Sequence, residues 1–231
     1  MELRELGKTG LKVGEIGIGC EGFVDHDGAL IGPMLDYAVE HGVNLIDLYS
    51  PDPAMRTKLG AALAGRRDKF VLQGHLCTVW KDGQYLRTRK IEEVREGFED
   101  LLERLGSGSV EIGMIHYVDS EEDWRTIAGG PVLQYAKELK ACGKIGRIGL
   151  SSHNPRAAME AVRSGEIEVL MFSVNPCYDL QPGGENCESL WDGENYQKPL
   201  LNMDPEREAL YELCSRMGVG ITVMKAFGGG D

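Results

Sequence analysis

Short apolar segments alternate with amphipathic segments along almost the whole chain, and this alternation limits the possible folds more than any other feature. Seven runs have the near-continuous hydrophobicity of buried strands: residues 16–19, 44–47, 70–74, 111–116, 146–151, 169–175 and 220–224. Such runs are typical of parallel strands that are covered on both faces. Segments with helical periodicity lie between them. The sequence therefore predicts an α/β protein built on a parallel sheet.

Four of the intervening segments have the periodicity and the end signals of helices: residues 91–105, 131–141, 155–164 and 205–217. The first carries its apolar side chains on one stripe. Asn154-Pro155 and Asp204-Pro205 each supply a polar N-cap followed by proline in the first turn. At the start of the chain, turn residues at 7–10 between short extended stretches predict a β-hairpin over about residues 1–15.

Two architectures fit this alternation, an open doubly wound sheet and a (β/α)₈ barrel. A barrel needs eight units, and seven are found here. A barrel without its eighth strand would have two unpaired edges, which invite pairing with another chain. Self-association through the open edge is therefore expected if the fold is an incomplete barrel.

Charge and cysteine content limit the binding partners and the cellular location that we expect for the protein. Acidic residues outnumber Lys and Arg by 37 to 25, giving a net charge of −12, so we expect neither nucleic-acid nor membrane binding. No apolar run approaches the length of a membrane span. The 6 cysteines are scattered and form no C-x-x-C pair, which is typical of reduced thiols. These features predict a cytoplasmic protein.

Polar or ionisable residues end or follow six consecutive strand units: Asp47, His75, His116, Ser151, Asn175 and Lys225. In parallel α/β folds the carboxyl ends of the strands face the active site. The sequence therefore predicts a polar pocket at this edge of the sheet. Residues 17–22 also match G-x-G-x-x-G, but helical periodicity resumes only near Ala29, so this stretch indicates a glycine-rich loop.

Several blocks carry a resemblance to a known family: residues 6–13 (LGKTGLKV), 42–47 (GVNLID), 59–63 (LGAAL), 115–116 (IH), 144–153 (KIGRIGLSSH) and 224–230 (MKAFGGG). Together they resemble the aldo-keto reductase superfamily, most closely its subgroup with a C-terminal ferredoxin-like iron–sulfur domain. The cysteine motifs of that domain are absent, so an iron–sulfur cluster is expected only if a longer form exists. The resemblance implies one barrel domain over residues 1–231, with an N-terminal hairpin, about seven β/α repeats and no eighth.

The resemblance also implies a catalytic tetrad of Asp, Tyr, Lys and His, in which Tyr donates a proton to the carbonyl oxygen. The Asp and His positions fall on Asp47 and His116. The Tyr position falls on Asp52 and the Lys position on His75. A carboxylate is ionised at neutral pH unless burial raises its pKa, so Asp52 is a poor proton donor.

Three hypotheses address the missing donor. His75 is a candidate acid beside His116. Tyr49 or Tyr117 is a candidate to fill the gap. A third hypothesis is a mixed nitrogen and oxygen metal site made by the four residues at the tetrad positions.

The family holds the nicotinamide of its cofactor with residues after strands five to seven. Ser151 matches the family serine, Ser152 stands where the family has Asn, and Asn175 ends strand six. Lys225 lies near the place of a family aromatic residue that stacks on the nicotinamide. The resemblance therefore implies NADP or NAD as cofactor.

These observations predict an oxidoreductase that uses NAD(P)H to reduce a small carbonyl compound, or catalyses the reverse, with an altered tetrad. The alternative is a catalytically impaired barrel that binds a ligand, metal or protein partner without redox turnover. Residues 77–87 and 178–203 are the expected substrate-contacting loops. In the first, Trp80 and Tyr85 are either aromatic walls of the pocket or ordinary loop anchors.

Overall fold

The computed structural model of the protein describes residues 1–180 and 203–227. Its strands are β1 (Arg4–Glu5), β2 (Lys12–Val13), β3 (Gly17–Gly19), β4 (Leu45–Leu48), β5 (Val71–Leu76), β6 (Thr78–Lys81), β7 (Gln84–Arg87), β8 (Val110–Ile115), β9 (Ile145–Ser152), β10 (Val169–Ser173) and β11 (Gly220–Met224). Its helices are α1 (Gly28–Glu40), α2 (Pro53–Leu63), α3 (Ile91–Leu105), α4 (Glu121–Ala128), α5 (Pro131–Ala141), α6 (Pro155–Arg163), α7 (Pro176–Asp179) and α8 (Pro205–Met217).

Seven parallel strands form one curled sheet in the order β11-β10-β9-β8-β5-β4-β3. Each strand lies beside the strand that precedes it in this sheet along the chain, so the order never reverses. A doubly wound sheet reverses its order at a switch point, whereas a barrel does not. The fold is therefore an incomplete (β/α) barrel with seven strands in the described residues, as the sequence predicted. Its two edge strands are β3 and β11.

Helix boundaries follow the capping residues in the sequence. The carboxylate of Asp204 accepts hydrogen bonds from the backbone N–H groups of Glu206 and Arg207, and Gly218, at φ 75°, ends α8. Asn154 caps α6 in the same way through the N–H of Arg156. Side-chain caps satisfy N–H groups that a helix start leaves without partners. The predicted helices at 91–105, 131–141 and 205–217 are confirmed with their bounds.

The main hydrophobic core lies between the sheet and its helices. Helix α3 shows how the pattern produces it, because its buried residues recur at helical spacing while acidic and basic residues occupy the opposite face. Gly60 of α2 lies so close to α3 that an added Cβ would be 2.1 Å from the carbonyl oxygen of Arg104. The absence of a side chain there lets the two helices pack in direct contact.

A second, smaller core closes the bottom of the barrel. The β1–β2 hairpin, predicted at about residues 1–15, pairs Arg4 with Val13 and carries Leu6 inward. Arg147 of β9 donates hydrogen bonds from its guanidinium to the carbonyl of Thr9. The cluster joins Leu6 and Val13 of the hairpin to residues of the barrel strands: Val71, Ile112, Met114 and Val169.

Residues 77–87, expected to be a loop, contain a second β-hairpin. Strands β6 and β7 pair antiparallel, with Trp80 opposite Tyr85. The turn between them has positive φ at Asp82 and Gly83. Two positive φ angles give the backbone twist that two-residue hairpins prefer, and Asp-Gly is a favoured sequence for them. This hairpin follows β5 directly, at the carboxyl-terminal edge of the barrel.

The other expected substrate loop, residues 178–203, lies mostly outside the described residues, since 181–202 are not described. Across the described ranges, the structure contains no helix that is long and apolar enough to cross a membrane.

Candidate active site

The predicted polar edge is formed by residues at the carboxyl ends of neighbouring strands. Asp47 lies near the end of β4 and pairs in register with Gln73 of β5. His75 follows two residues later and pairs with Met114 of β8. His116 comes one residue after β8 ends. Because β4, β5 and β8 are adjacent, these three side chains meet at one point of the edge.

A chain of hydrogen bonds joins the three residues. The Nε2 atom of His75 lies 2.8 Å from Oδ1 of Asp47, and its Nδ1 atom lies 2.7 Å from Nδ1 of His116. The rings of the two histidines are 4.8 Å apart between centroids. The structure thus brings together three of the four residues that were predicted to be catalytic.

The partners fix which ring nitrogen carries each proton when both rings are neutral. Asp47 can only accept, so His75 donates to it through Nε2 and is left with a lone pair on Nδ1. His116 must then donate through its own Nδ1. Its Nε2 atom remains an acceptor, and it lies 2.8 Å from the phenol oxygen of Tyr85. The hydrogen-bonded chain therefore extends to a fourth residue on the β6–β7 hairpin.

Burial controls the charge of this chain. It lowers the pKa of His116 well below its usual 6.5, and repulsion from His75 is the next largest cause. Burial also raises the pKa of Tyr85 to about 12, partly offset by Arg87 and Arg89. At neutral pH His116 is uncharged and Tyr85 is a phenol. The chain thus ends in a group with a proton to donate.

Asp47 is held in place from inside the barrel. Its Oδ1 atom also accepts a hydrogen bond of 2.7 Å from Nε2 of Gln73. The amide oxygen of Gln73 in turn accepts one from the hydroxyl of Thr222 on β11. Gln73 was not identified from the sequence. The available signal was its position two residues before His75, because alternate residues of a strand share a face.

Tyr85, which the sequence leaves undecided between pocket wall and loop anchor, lies against His116. Its ring lies 6.1 Å from that of His116, at an angle of 84°. Tyr49, the other neighbouring tyrosine, stacks on His116 with centroids 6.0 Å apart and 9° between the planes. Burial and a hydrogen bond to Glu21 raise the pKa of the Tyr49 phenol. Of these two tyrosines, Tyr85 is the one whose hydroxyl lies within hydrogen-bond distance of His116.

Asp52 lies apart from this chain. Its carboxylate accepts a 2.6 Å hydrogen bond from the N–H of Met55 and caps α2, with Pro53 in the first turn. Within the described residues, no hydrogen bond connects Asp52 to Asp47 or to either histidine. The structure therefore places Asp52 as a helix cap beside the site.

Ser151 and Ser152 end β9 next to the histidines. The Ser151 hydroxyl accepts a hydrogen bond from the N–H of Tyr117 and lies 3.4 Å from Nδ1 of His116. Ser152 is fully buried and donates to the carboxylate of Asp119. That carboxylate also lies 3.0 Å from Nδ1 of His153. Ser151 is therefore part of the site, and Ser152 belongs to a buried network next to it.

Asn175 and Lys225 contact each other at the ends of β10 and β11. The Asn175 amide donates to the carbonyl of Lys225, and its oxygen accepts from the N–H of Tyr178. The Lys225 ammonium lies 6.0 Å from the centre of the Tyr178 ring. An amide offers two N–H donors and two lone pairs, and these two bonds use one of each.

The donor set at the end of β10 thus suits a carboxamide, which needs one donor and one acceptor. As for metals, no group of three or more His, Cys, Asp or Glu side chains in the described ranges is placed to hold an ion.

Comparison with known proteins gives a consistent result. Residues 15–230 match the model of the aldo/keto reductase family. The uncharacterized oxidoreductase YqkF of Bacillus subtilis is 26% identical over 187 residues, covering 79% of this chain and 58% of that protein. The aldo-keto reductase YhdN of the same species is 24% identical and covers 78% and 54%. The chain therefore spans a little over half the length of these curated relatives.

Two solved structures resemble the fold. A Pseudomonas aeruginosa protein assigned to the aldo-keto reductases superimposes with a TM-score of 0.73 at 26% identity, covering 96% of this chain and 77% of that one. The holo form of the aldo-keto reductase AKR11C1 from Bacillus halodurans gives a TM-score of 0.72 at 22% identity and covers 96% and 65%.

Proposed function

Because the chain belongs to the aldo/keto reductase family, we propose that it is an oxidoreductase that reduces a small carbonyl compound with NADPH or NADH, or catalyses the reverse reaction. The observation that carries this proposal is the hydrogen-bonded chain of Asp47, His75 and His116 at the carboxyl ends of three adjacent strands. Such a chain holds and moves protons, which the reduction of a carbonyl to an alcohol requires.

When bound, the nicotinamide would supply a hydride, and Asn175 would hold its carboxamide. The amide of Asn175 has a second N–H and a second lone pair, which match the carbonyl and the NH₂ of a carboxamide. Ser151 lies between that position and His116. Lys225 is fixed against Asn175 through its backbone carbonyl and lies at the rim.

The net charge of −12 supports a small-molecule substrate and a cytoplasmic location over binding to nucleic acids or anionic membranes. A small carbonyl suits the site because Tyr49, Tyr85 and Tyr117 all lie close to the His116 ring, at about 6 Å between centroids.

A titration with NADPH and NADH tests the proposal. Quenching of tryptophan fluorescence reports binding, and Trp80 lies on the hairpin beside the site. Loss of dihydronicotinamide absorbance with a panel of small aldehydes reports turnover. The 231-residue chain is compared with a version extended past Asp231, because this chain covers 58% of the length of YqkF. Binding and turnover by either form supports the proposal, and binding by neither contradicts it.

A second candidate function is a barrel that binds a ligand or partner without redox turnover. It is favoured by Asp52, which stands at the position of the family's proton donor and whose carboxylate is engaged in capping α2. Binding of the dinucleotide by the extended chain without oxidation of NADPH or NADH by any aldehyde would support this function over the first.

A further inference from the structure

We propose that Tyr85 is the catalytic acid that protonates the carbonyl oxygen, supplied through a proton relay of Asp47, His75 and His116. This assignment rests on the proposed carbonyl reduction and adds to it the residue that replaces the missing tyrosine. Its direct evidence is the 2.8 Å contact between the phenol oxygen of Tyr85 and Nε2 of His116.

The fold fixes the position of Tyr85 from several sides. Register within the hairpin sets Tyr85 opposite Trp80, and the N–H of Thr88 closes the hairpin on the carbonyl of Cys77. The hairpin rests on α3 at Gly97, where an added Cβ would be 2.6 Å from the carbonyl oxygen of Thr78. A glycine at this point lets β6 approach the helix closely enough for Tyr85 to reach the barrel edge.

Arg89 ties the base of the hairpin to the catalytic strand. Its guanidinium donates to the carbonyl oxygens of His116 and Tyr117, at 2.9 and 2.8 Å, and forms an ion pair of 2.6 Å with Asp123. Planar guanidinium groups hold such arrangements with little remaining freedom. The phenol and the imidazole are therefore positioned by one connected set of contacts.

Two of the rival donors, Asp52 and Tyr49, are placed unfavourably for this role. The Asp52 carboxylate accepts the Met55 N–H, and an ionised carboxylate has no proton to give. The Tyr49 ring lies parallel to that of His116, so its oxygen is not directed at a nitrogen of that ring, and the nearby Glu21 contributes to raising the pKa of its phenol. Tyr85 has both the proton and the direct contact with the histidine.

The protons balance along the relay. Before reaction, His75 carries protons on both nitrogens opposite the Asp47 carboxylate, His116 carries its proton on Nε2, and Tyr85 is a phenol. Hydride adds to the carbonyl carbon, and the Tyr85 O–H bond breaks as its proton forms the O–H bond of the alcohol. The phenolate then takes the Nε2 proton of His116.

His116 in turn takes the Nδ1 proton of His75, which becomes neutral with its remaining proton directed at Asp47. This end state is the neutral arrangement described above for the hydrogen-bonded chain. A proton from water returns by the reverse path after the product leaves. The positive charge starts on His75 beside its carboxylate and is lost with the transferred proton, so it never rests on His116, which burial keeps neutral.

Substitution Tyr85→Phe tests the assignment, with Tyr37→Phe on α1 as a matched control because Tyr37 is 64% exposed and lies away from the site. We expect Tyr85→Phe to lower kcat about 100-fold or more while the Kd for NADPH stays unchanged. Tyr37→Phe should leave both values unchanged. Thermal unfolding of each variant verifies that it folds.

Asp52→Asn and Tyr49→Phe test the rival donors directly. Asparagine caps helices as well as aspartate does, so Asp52→Asn leaves α2 intact. We expect Asp52→Asn to keep kcat within about threefold of the original. Tyr49→Phe should lose far less activity than Tyr85→Phe, because its ring still stacks on His116. A 100-fold loss in either one, with Tyr85→Phe active, would overturn the assignment while leaving the proposed function standing.

An independent readout uses no cofactor. At alkaline pH, where both histidine rings are neutral, nitrogen NMR of isotope-labelled histidine should show Nε2 of His116 as a hydrogen-bonded acceptor, with a shift that changes in Tyr85→Phe and not in Tyr37→Phe. An unchanged His116 signal in Tyr85→Phe would contradict the assignment. Absence of any turnover by the original protein would instead contradict the proposed function, and Tyr85 as its acid with it.

Discussion

At the scale of single residues, the structure keeps the buried ring of His116 uncharged. His116 is surrounded by groups that disfavour its cation: His75 on β5, Arg87 and Arg89 on or beside the hairpin, and His153 after β9. Burial is the largest cause and removes the water that would solvate an imidazolium ion. The structure therefore stabilises the neutral ring at the cost of tolerance to acid.

The lowered pKa of His116 predicts that the stability of the folded protein depends on pH. The pKa of His116 is lowered in the folded state, so at pH values between it and the unfolded value near 6.5 the unfolded chain binds more protons. The free energy of unfolding should therefore fall as pH decreases below about 6.5, by up to about 1.4 kcal/mol per pH unit from this residue. Urea unfolding between pH 5 and 7 measures it.

His116→Asn should reduce this slope, since it removes the titrating ring, and His26→Gln at an exposed position should not. A slope unchanged in His116→Asn would show that other groups cause the acid sensitivity.

At the scale of elements, Gly97 in α3 determines how closely the β6–β7 hairpin packs against that helix. In Gly97→Ala the new methyl group would meet the Thr78 carbonyl at 2.6 Å and the Val79 side chain at 2.8 Å. The Thr78 carbonyl is part of the backbone and cannot move aside as the end of a flexible side chain can. The hairpin must therefore shift away from α3. We expect a loss of about 1–3 kcal/mol in the free energy of unfolding and a separation of Tyr85 from His116.

Urea unfolding and the His116 nitrogen signal measure the two effects. Gly108→Ala is the control, because no atom lies within 4 Å of its added Cβ and its φ is not positive. A stable Gly97→Ala protein with an unchanged His116 signal would contradict this role of the glycine.

The elements of the barrel could be predicted because their signals are local. Continuous apolar runs gave the strands, and caps such as Asp204 and Asn154 gave helix starts. The β6–β7 hairpin also had a local signal, Asp82-Gly83, which was interpreted as part of a loop. Helix α4, which starts at the Ser120 cap, was missed in the same way.

The residues of the site show the same difference between local signals and contacts that depend on the whole fold. Asp47, His75 and His116 could be predicted to meet because parallel neighbouring strands end at one edge. Tyr85 could not be predicted, since its contact with His116 depends on how a hairpin docks over α3 and on a glycine at 97 that gives no sign of this in the sequence.

At the scale of the whole molecule, the β1–β2 hairpin closes the barrel at the end opposite the site. Leu6 packs inside this end, against Gly220 at the start of β11 and within the second core. Leu6→Ala should lower the free energy of unfolding by about 2–5 kcal/mol, the range for a buried leucine. Leu3→Ala, at a position 44% exposed, should change it by less than about 0.5 kcal/mol.

Urea unfolding of both variants measures the difference. Equal stabilities of the two variants would mean that the buried Leu6 contributes no more to the free energy of unfolding than the exposed Leu3. Such a result would contradict a closing role for β1 and β2.

The β6–β7 hairpin hydrogen-bonds as a two-stranded sheet of its own, separate from the seven strands of the barrel. With Tyr85 as the acid, the proton donor belongs to this separate hairpin and not to a strand of the barrel. The barrel and its acid are therefore separable units of the chain: exchanging residues 77–87 for another surface segment would remove the phenol and leave all seven strands and both histidines in place.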